Sequence, residues 1–282
     1  MKNGLVLEGG AMRGLFTAGI LDVFMEEGIK ADGAVGVSAG AAFGCSYKSG
    51  QIGRTLRYNK KYCKDKRYCS LYSLITTGNL YGVEFCYKTL PEELDIFDND
   101  AYENNPMEFF VVASDVITGK SVYKKCDSFR GENLEWIRAS ASLPLVSTVV
   151  SIDGYKLLDG GITDAIPLKF MEKQGYDKNI VILTRPEGYY KKKSNLSFPI
   201  KAALRKYPAV IEAMEKRYIM YNEELEYVKE REREGKVLIL RPKQPLPVKR
   251  TSRSEDALQK TYDLGYCLAK EKLSLIKEFL AY

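Results

Sequence analysis

Residues 34–50 read AVGVSAGAAFGCSYKSG. A short apolar run, Ala34 to Val37, leads into GVSAG, Gly36 to Gly40, which has the form G-x-S-x-G. The run predicts a buried strand and the small residues after it a helix, so Ser38 falls on the turn between them. That arrangement exposes a serine hydroxyl on a tight turn. Gly36 and Gly40 keep the turn free of side chains. The helix behind offers N–H groups and a positive dipole end to developing negative charge. A serine here also caps helices without doing chemistry, so the rest of the chain has to decide. A nucleophilic serine needs a base, usually histidine, and the 282 residues contain none.

Upstream, Leu5 to Leu7 predict another short strand. It runs into Gly9-Gly10-Ala11-Met12-Arg13-Gly14, and a helix with apolar residues at helical spacing continues to a stop at Gly28. Glycines after a strand let backbone N–H groups approach a ligand, and such donors can meet the oxyanion of an acyl transfer. A dinucleotide loop of the form G-x-G-x-x-G would need glycine at position 11, where Ala11 stands.

Downstream, EFFVVASD (residues 108–115) predicts a strong strand and KSVYK an antiparallel partner after the turn at Thr118-Gly119. Leu157-Leu158-Asp159-Gly160-Gly161 places an aspartate at the end of a predicted strand. Alternating strands and helices imply a parallel sheet covered by helices. At the carboxyl edge of such a sheet Gly9, Ser38 and Asp159 converge, although 121 positions separate the serine from the aspartate. Taken alone, Asp159 also reads as a turn residue. The histidine-free Ser–Lys route has only Ser121…Lys124 and Ser274…Lys277 as S-x-x-K matches, neither near the glycine loops.

The composition, 45% hydrophobic and 28% charged, is that of a globular protein, and no apolar run reaches the ~20 residues of a membrane span. The N-terminus, one lysine followed by a glycine-rich turn, does not resemble a signal peptide, so the expectation is a cytoplasmic protein. Six cysteines without a C-x-x-C pair, and no histidine, argue against a zinc site and point to reduced thiols. The net charge of +6 is concentrated in two stretches. Residues 54–67 carry seven bases and one acid, and residues 185–217 nine bases and three acids. Such clusters suit an anionic surface, and Tyr58, Tyr62 and Tyr68 interleaved in the first also suit nucleic acid.

GGAMRG, GVSAG and DGG, in that order, resemble the patatin-like phospholipases, as does ASASLPLV (residues 139–146) ahead of the aspartate strand. The resemblance covers about residues 4–185. It implies a three-layer α/β/α fold with a mainly parallel central sheet and a Ser–Asp dyad, Ser38 as nucleophile and Asp159 as base. It also implies an oxyanion loop at Gly9, Gly10, Ala11, Met12, Arg13 and Gly14. In that loop the first three residues supply donors, and Arg13 braces the loop or faces an anionic head group. Gly36 and Gly40 would frame the elbow, and Gly160 and Gly161 the aspartate. Ala11 departs from the family's usual glycine, and Glu8 from its usual aspartate.

The expectation is therefore a lipid acyl hydrolase acting through an acyl-enzyme on carboxylic esters, without cofactor or metal. Its partners would be a lipid ester and, peripherally, an anionic membrane at the inner face, with no nucleic acid. The rival is an inactive protein of the same fold that binds anionic lipid surfaces or nucleic acid. Residues 4–185 form the expected catalytic domain and 186–282 a mostly helical region packed on it. TYDLGY, Thr261 to Tyr266, is similar to bacterial members of the family and implies no role. Residues 51–106 read as helical and loop material over one end of the sheet.

Overall fold

The computed structural model describes residues 2–281. In chain order the elements are β1 (Lys2–Leu7), α1 (Gly14–Glu26), β2 (Gly33–Val37), α2 (Ala39–Lys48), α3 (Arg54–Tyr62), α4 (Leu71–Thr77), a π-helix (Phe85–Leu94), α5 (Asn99–Asn104), β3 (Glu108–Asp115) and β4 (Lys120–Lys125). There follow α6 (Gly131–Ser140), β5 (Val150–Ile152), β6 (Tyr155–Asp159), α7 (Leu168–Lys173), β7 (Tyr176–Ile182), α8 (Phe198–Ala203), α9 (Pro208–Arg233), β8 (Val237–Leu240), α10 (Glu255–Glu271) and α11 (Leu273–Ala281).

The strands form one eight-stranded sheet in the order β5-β6-β3-β2-β1-β7-β8, with β4 also paired to β3. Strands β1, β2, β3, β7 and β8 run parallel, β4 and β6 run against them, and β5 at the edge is antiparallel to β6 and so points the same way as β3. Side chains alternate across the sheet. Leu5, Leu7, Val111 and Ile182 pack on one face with Leu15, Ile20 and Phe24 of α1 and Leu258 of α10. Val6, Val35, Val112 and Val181 pack on the other with Met171 of α7 and Leu225 and Val228 of α9. Helices on both faces of a mainly parallel sheet make the three-layer α/β/α fold that the alternating pattern implies.

Strand β6 corrects the sequence reading. Asp159 does not end a parallel strand. Strand β4 occupies one edge of β3 over Phe110–Asp115, so β2 and β6 share the other edge in series. Val37 stands opposite Val112, and Asp159 opposite Ala113. The two strands run toward each other and end head to head. Asp159 thus reaches the carboxyl edge from the opposite direction. The sequence reading also passes over β5, a three-residue strand joined to β6 by Asp153-Gly154, both at positive φ. Asp-Gly is the residue pair such a hairpin turn selects.

The basic, tyrosine-rich stretch is not an open platform for bases. Tyr58, Tyr62 and Tyr68 are buried in the core. Arg54 and Arg57 pair with Asp95, Arg67 with Asp65 and Lys64 with Glu255. TYDLGY gains a packing role. A methyl at Gly265 would overlap the Phe16 carbonyl, so α10 lies backbone to backbone on α1. Its tyrosines donate to α1, Tyr262 to Asp22 and Tyr266 to Glu26, each at 2.7 Å. Among the described residues no helix is long and apolar enough to cross a membrane.

Candidate active site

Ser38 sits at φ 55° and ψ −118°, between the last residue of β2 and the first of α2. A non-glycine residue there is strained, and the fold holds it on both sides. Gly40 lies against β1, where a side chain would overlap the Leu7 carbonyl, and a side chain on Gly36 would run into the first turn of α2. The Ser38 N–H donates to Ser140 Oγ at 3.0 Å, and Ser140 is fully buried at the end of α6. This contact accounts for part of ASASLPLV: its second residue fastens the elbow.

Asp159 is 3% exposed. Its Oδ1 accepts from the Gly161 N–H at 2.9 Å, and its own N–H donates to the Ser142 carbonyl at 2.8 Å. Its Oδ2 is buried with no hydrogen-bond partner. The Ser38 hydroxyl faces this carboxyl closely enough to influence it, without a hydrogen bond of normal geometry. Burial pushes the carboxyl above the ordinary aspartate range. The Ser38 hydroxyl, the Arg217 guanidinium and the Gly161 N–H pull it partway back. Gly160 passes so close to the Val112 carbonyl that a side chain would overlap it.

The glycine loop crosses in front of the elbow. A side chain on Gly9 would stand 2.9 Å from Ser38 Cβ and from the Val37 carbonyl. Among the described residues the Gly9 and Gly10 N–H groups have no acceptor. Ala11 sits at φ 49°, the left-handed region in which glycine is the unstrained residue. Met12 is buried, Gly14 opens α1 against Ala39 and Phe43, and the Arg13 Nε donates to Thr184 Oγ1 at 3.4 Å. Glu8 is buried too. It accepts from the Thr184 N–H and hydroxyl and from Tyr221 Oη at 2.7 Å, which ties the loop to the segment just past β7 and to α9.

Two cavities meet at Ser38. One, of about 110 Å³, is lined largely by apolar and aromatic side chains, among them Met12, Phe43, Tyr87, Leu90 and Ile137. Much of its wall is residues 51–106, including the π-helix, a coil frequent at functional sites. The other, of about 90 Å³, holds Asp159 and Glu8 together with Arg13, Arg185, Lys191, Arg217 and Arg250. Ala11, Ser38 and Leu143 line both. A cavity-lining hydroxyl, a buried carboxylate oxygen without a partner and free backbone donors are the groups that a histidine-free acyl transfer requires.

Sequence reasoning missed Ser140, Thr184 and Tyr221, which carry no local signal. It noticed Arg185, Lys191 and Arg217 only as part of a basic stretch, and the fold turns them inward onto a cavity.

The sequence model of patatin, described as patatin-like phospholipase, matches residues 5–171, more than half of the chain. The chain belongs to the patatin-like phospholipase family. A second match, to a domain of unknown function (DUF6363), covers residues 207–281. The patatin-like chain is 30% identical over 199 residues to the uncharacterized protein YjjU of Escherichia coli, covering 66% of this chain and 53% of that one. It is 30% identical over 164 residues to the uncharacterized NTE family protein Rv1063c of Mycobacterium tuberculosis, covering 58% and 44%. It is 26% identical over 182 residues to the lysophospholipase nte1 of Aspergillus niger, covering 62% and 11%. The chain thus spans about half the length of the first two of these relatives.

Proposed function

We propose that this patatin-like protein is a lipid acyl hydrolase that cleaves carboxylic esters through an acyl-enzyme on Ser38. The observation that carries the reading is the meeting of a strained, cavity-facing serine with a buried aspartate whose outer oxygen has no partner. Family membership and the lysophospholipase among the relatives support a lipid ester as substrate.

The steps follow from the groups present. Asp159 takes the Ser38 hydroxyl proton as Oγ attacks the ester carbonyl carbon. Backbone N–H groups of Gly9, Gly10 and Ala11 stabilise the resulting oxyanion. The intermediate collapses, the alcohol leaves with the proton returned from Asp159, and the acyl group stays on Oγ. Water, deprotonated by Asp159, then attacks the acyl carbon, the bond to Oγ breaks to release the fatty acid, and Asp159 returns the proton to Ser38 Oγ. An isolated aspartate is a weaker base than imidazole, so positioning and the oxyanion donors carry much of the rate. Burial narrows that gap by raising the Asp159 carboxyl.

The apolar cavity receives the acyl chain. Exposed Leu71, Tyr72 and Ile75 on α4 lie between Cys69 and Tyr81, and Tyr81 lines that cavity. They support uptake of lipid from a membrane surface touched peripherally. The test is hydrolysis of a p-nitrophenyl ester and of an acyl lipid by wild type, Ser38→Ala and Asp159→Asn. The expected result is loss of turnover in the first variant and at least a ~100-fold loss in the second, with both folded. Folded Ser38→Ala with more than a tenth of wild-type activity sinks the reading.

A further inference from the structure

The cavity on the far side of Ser38 from the acyl chain carries too much positive charge for the acids beside it. Arg13, Arg185, Lys191, Arg217 and Arg250 line it. Among the described residues, none of the five makes an ion pair with a carboxylate. Glu8, one of its two acids, is engaged by Thr184 and Tyr221. Asp159 is the other.

Groups other than acids hold three of these cations in place. The Arg217 Nε donates to the Gly161 carbonyl, the Arg185 guanidinium lies 4.5 Å from the Tyr189 ring centre, and the Lys191 ammonium 5.2 Å from that of Tyr221. The backbone of Lys191 is clamped to α9, its N–H donating to Asn222 at 2.9 Å and its carbonyl accepting from the same side chain at 3.0 Å. The shortage of negative charge shows in its titration. Burial first, then Arg217, Arg250 and Arg185, push the Lys191 ammonium down to about 8. Arg13, Arg185, Lys191 and Arg217, positioned and partly buried without acids, form with the exposed Arg250 beside them a seat for an anion.

The chemistry selects among anions and head groups. A phosphate monoester carries about 1.5 to 2 negative charges at neutral pH and three acceptor oxygens, the match for several guanidinium and ammonium donors. A zwitterionic head group would bring a further cation among five. An uncharged glycerol would leave their repulsion in place. Four of the five cations lie beyond residues 5–171, which the patatin model matches, and Arg217 and Arg250 lie within 207–281.

We propose that the carboxyl-terminal region completes a subsite for a phosphate monoester head group, so that the preferred substrate is an acyl ester bearing a terminal phosphate. The ester carbonyl would lie at Ser38, with the acyl chain in the apolar cavity and the phosphate among the cations. This rests on the hydrolase reading and adds to it a substrate class and a role for residues 185–250.

The test compares kcat/KM on three lipids with one acyl chain, a monoacylglycerol phosphate, a monoacylglycerol and the corresponding acyl glycerophosphocholine. All are presented at one low mole fraction in micelles that carry a constant large excess of anionic detergent, at one ionic strength, so that the substrate itself changes the surface charge little. The phosphate-bearing ester is expected to exceed each of the others by at least about tenfold, the scale of one or two charge-assisted contacts. In Lys191→Gln/Arg250→Gln that ratio is expected to fall at least about tenfold, while Lys191→Arg/Arg250→Lys keeps it. Gln at 191 leaves the backbone bonds to Asn222 intact. Equal kcat/KM on all three lipids overturns the subsite and leaves the hydrolase reading standing. No hydrolysis of any, with Ser38 inert to a fluorophosphonate, sinks both. Calorimetric binding of inorganic phosphate that the Gln variant loses, with no preference among the esters, assigns the cavity to free phosphate and overturns the substrate proposal.

Discussion

Ser38 and Asp159 meet because two strands end head to head on one edge of β3. Strand β2 leaves that edge after Val37 pairs with Val112, and Asp159 takes the next place, opposite Ala113. The serine turns out of the sheet where the aspartate arrives. The pair is built into the pairing register rather than into flexible loops. A one-residue slip of β6 would also turn the Asp159 side chain to the other face.

The pH dependence of ester hydrolysis follows from the burial of Asp159. In the proposed mechanism Asp159 works ionised, and its carboxyl lies above the ordinary aspartate range, so activity should fall on the acid side at a pH higher than a free aspartate would give. Arg217 opposes that shift. In Arg217→Gln the acid limb should move to still higher pH on an uncharged p-nitrophenyl ester. A kcat/KM profile whose acid limb is the same in both proteins would contradict this account of the base.

Ser140→Ala removes the acceptor of the Ser38 N–H. A buried N–H left without a partner costs about 1 to 3 kcal/mol. The elbow loses its tether as well, so kcat should fall about tenfold or more with little change in KM. Denaturant melts and steady-state kinetics on the p-nitrophenyl ester read both effects. Unchanged stability and kcat would leave Ser140 without a positioning role.

Ala11 occupies a left-handed conformation at φ 49°. That costs a residue with a Cβ roughly 1 to 2 kcal/mol, and glycine gives back about 0.5 to 1 kcal/mol through the freedom of the unfolded chain. Ala11→Gly should therefore be as stable as wild type or more stable by up to about 1 kcal/mol, with hydrolysis retained. A loss of more than 1 kcal/mol in a urea melt would show that the methyl group packs favourably.

Asp22 is buried beneath α10, where its Oδ2 accepts from Tyr262 Oη and the Gly53 N–H. Burial raises its carboxyl to about 6 against these bonds, with Glu26 adding to the rise and Arg57 opposing it. A folded value above the unfolded one gives stability that is full below about pH 4 and lost as pH rises through about 6. The loss is at most about 3 kcal/mol. Asn at 22 can accept both bonds without ionising. Asp22→Asn should therefore be more stable than wild type at pH 7.5 by about 1 to 3 kcal/mol and no more stable at pH 4. Equal differences at the two pH values would contradict the assignment.

The sequence makes legible what is local. GVSAG, the glycine loop and DGG each combine a turn residue with a neighbouring apolar run, so strand, turn and helix fall in place around Ser38. The alternation of strands and helices carries the three layers. Long-range relations leave no such trace. Nothing in YKLLD tells that β6 runs against β3, because alternation of side chains is the same in either direction. Ser140 is one serine in a helix, and its value comes only from facing the Ser38 N–H. Tyr58, Tyr62 and Tyr68 read as a basic, aromatic surface because charge is counted along the chain, whereas α3 and the turn after it bury the rings and bring Arg54, Arg57, Lys64 and Arg67 onto acids. Gly265 within TYDLGY shows as a lone glycine, and its cause, the Phe16 carbonyl, lies 249 positions away.

The central claim is that Ser38, activated by Asp159, is the nucleophile. It is tested most directly by reacting the folded protein with a fluorophosphonate and locating the adduct by peptide mass spectrometry. The account predicts one phosphonylated residue, Ser38, no labelling in Ser38→Ala, and labelling at least about 100-fold slower in Asp159→Asn. An adduct on another residue, or a folded wild-type protein that takes no label, would contradict it.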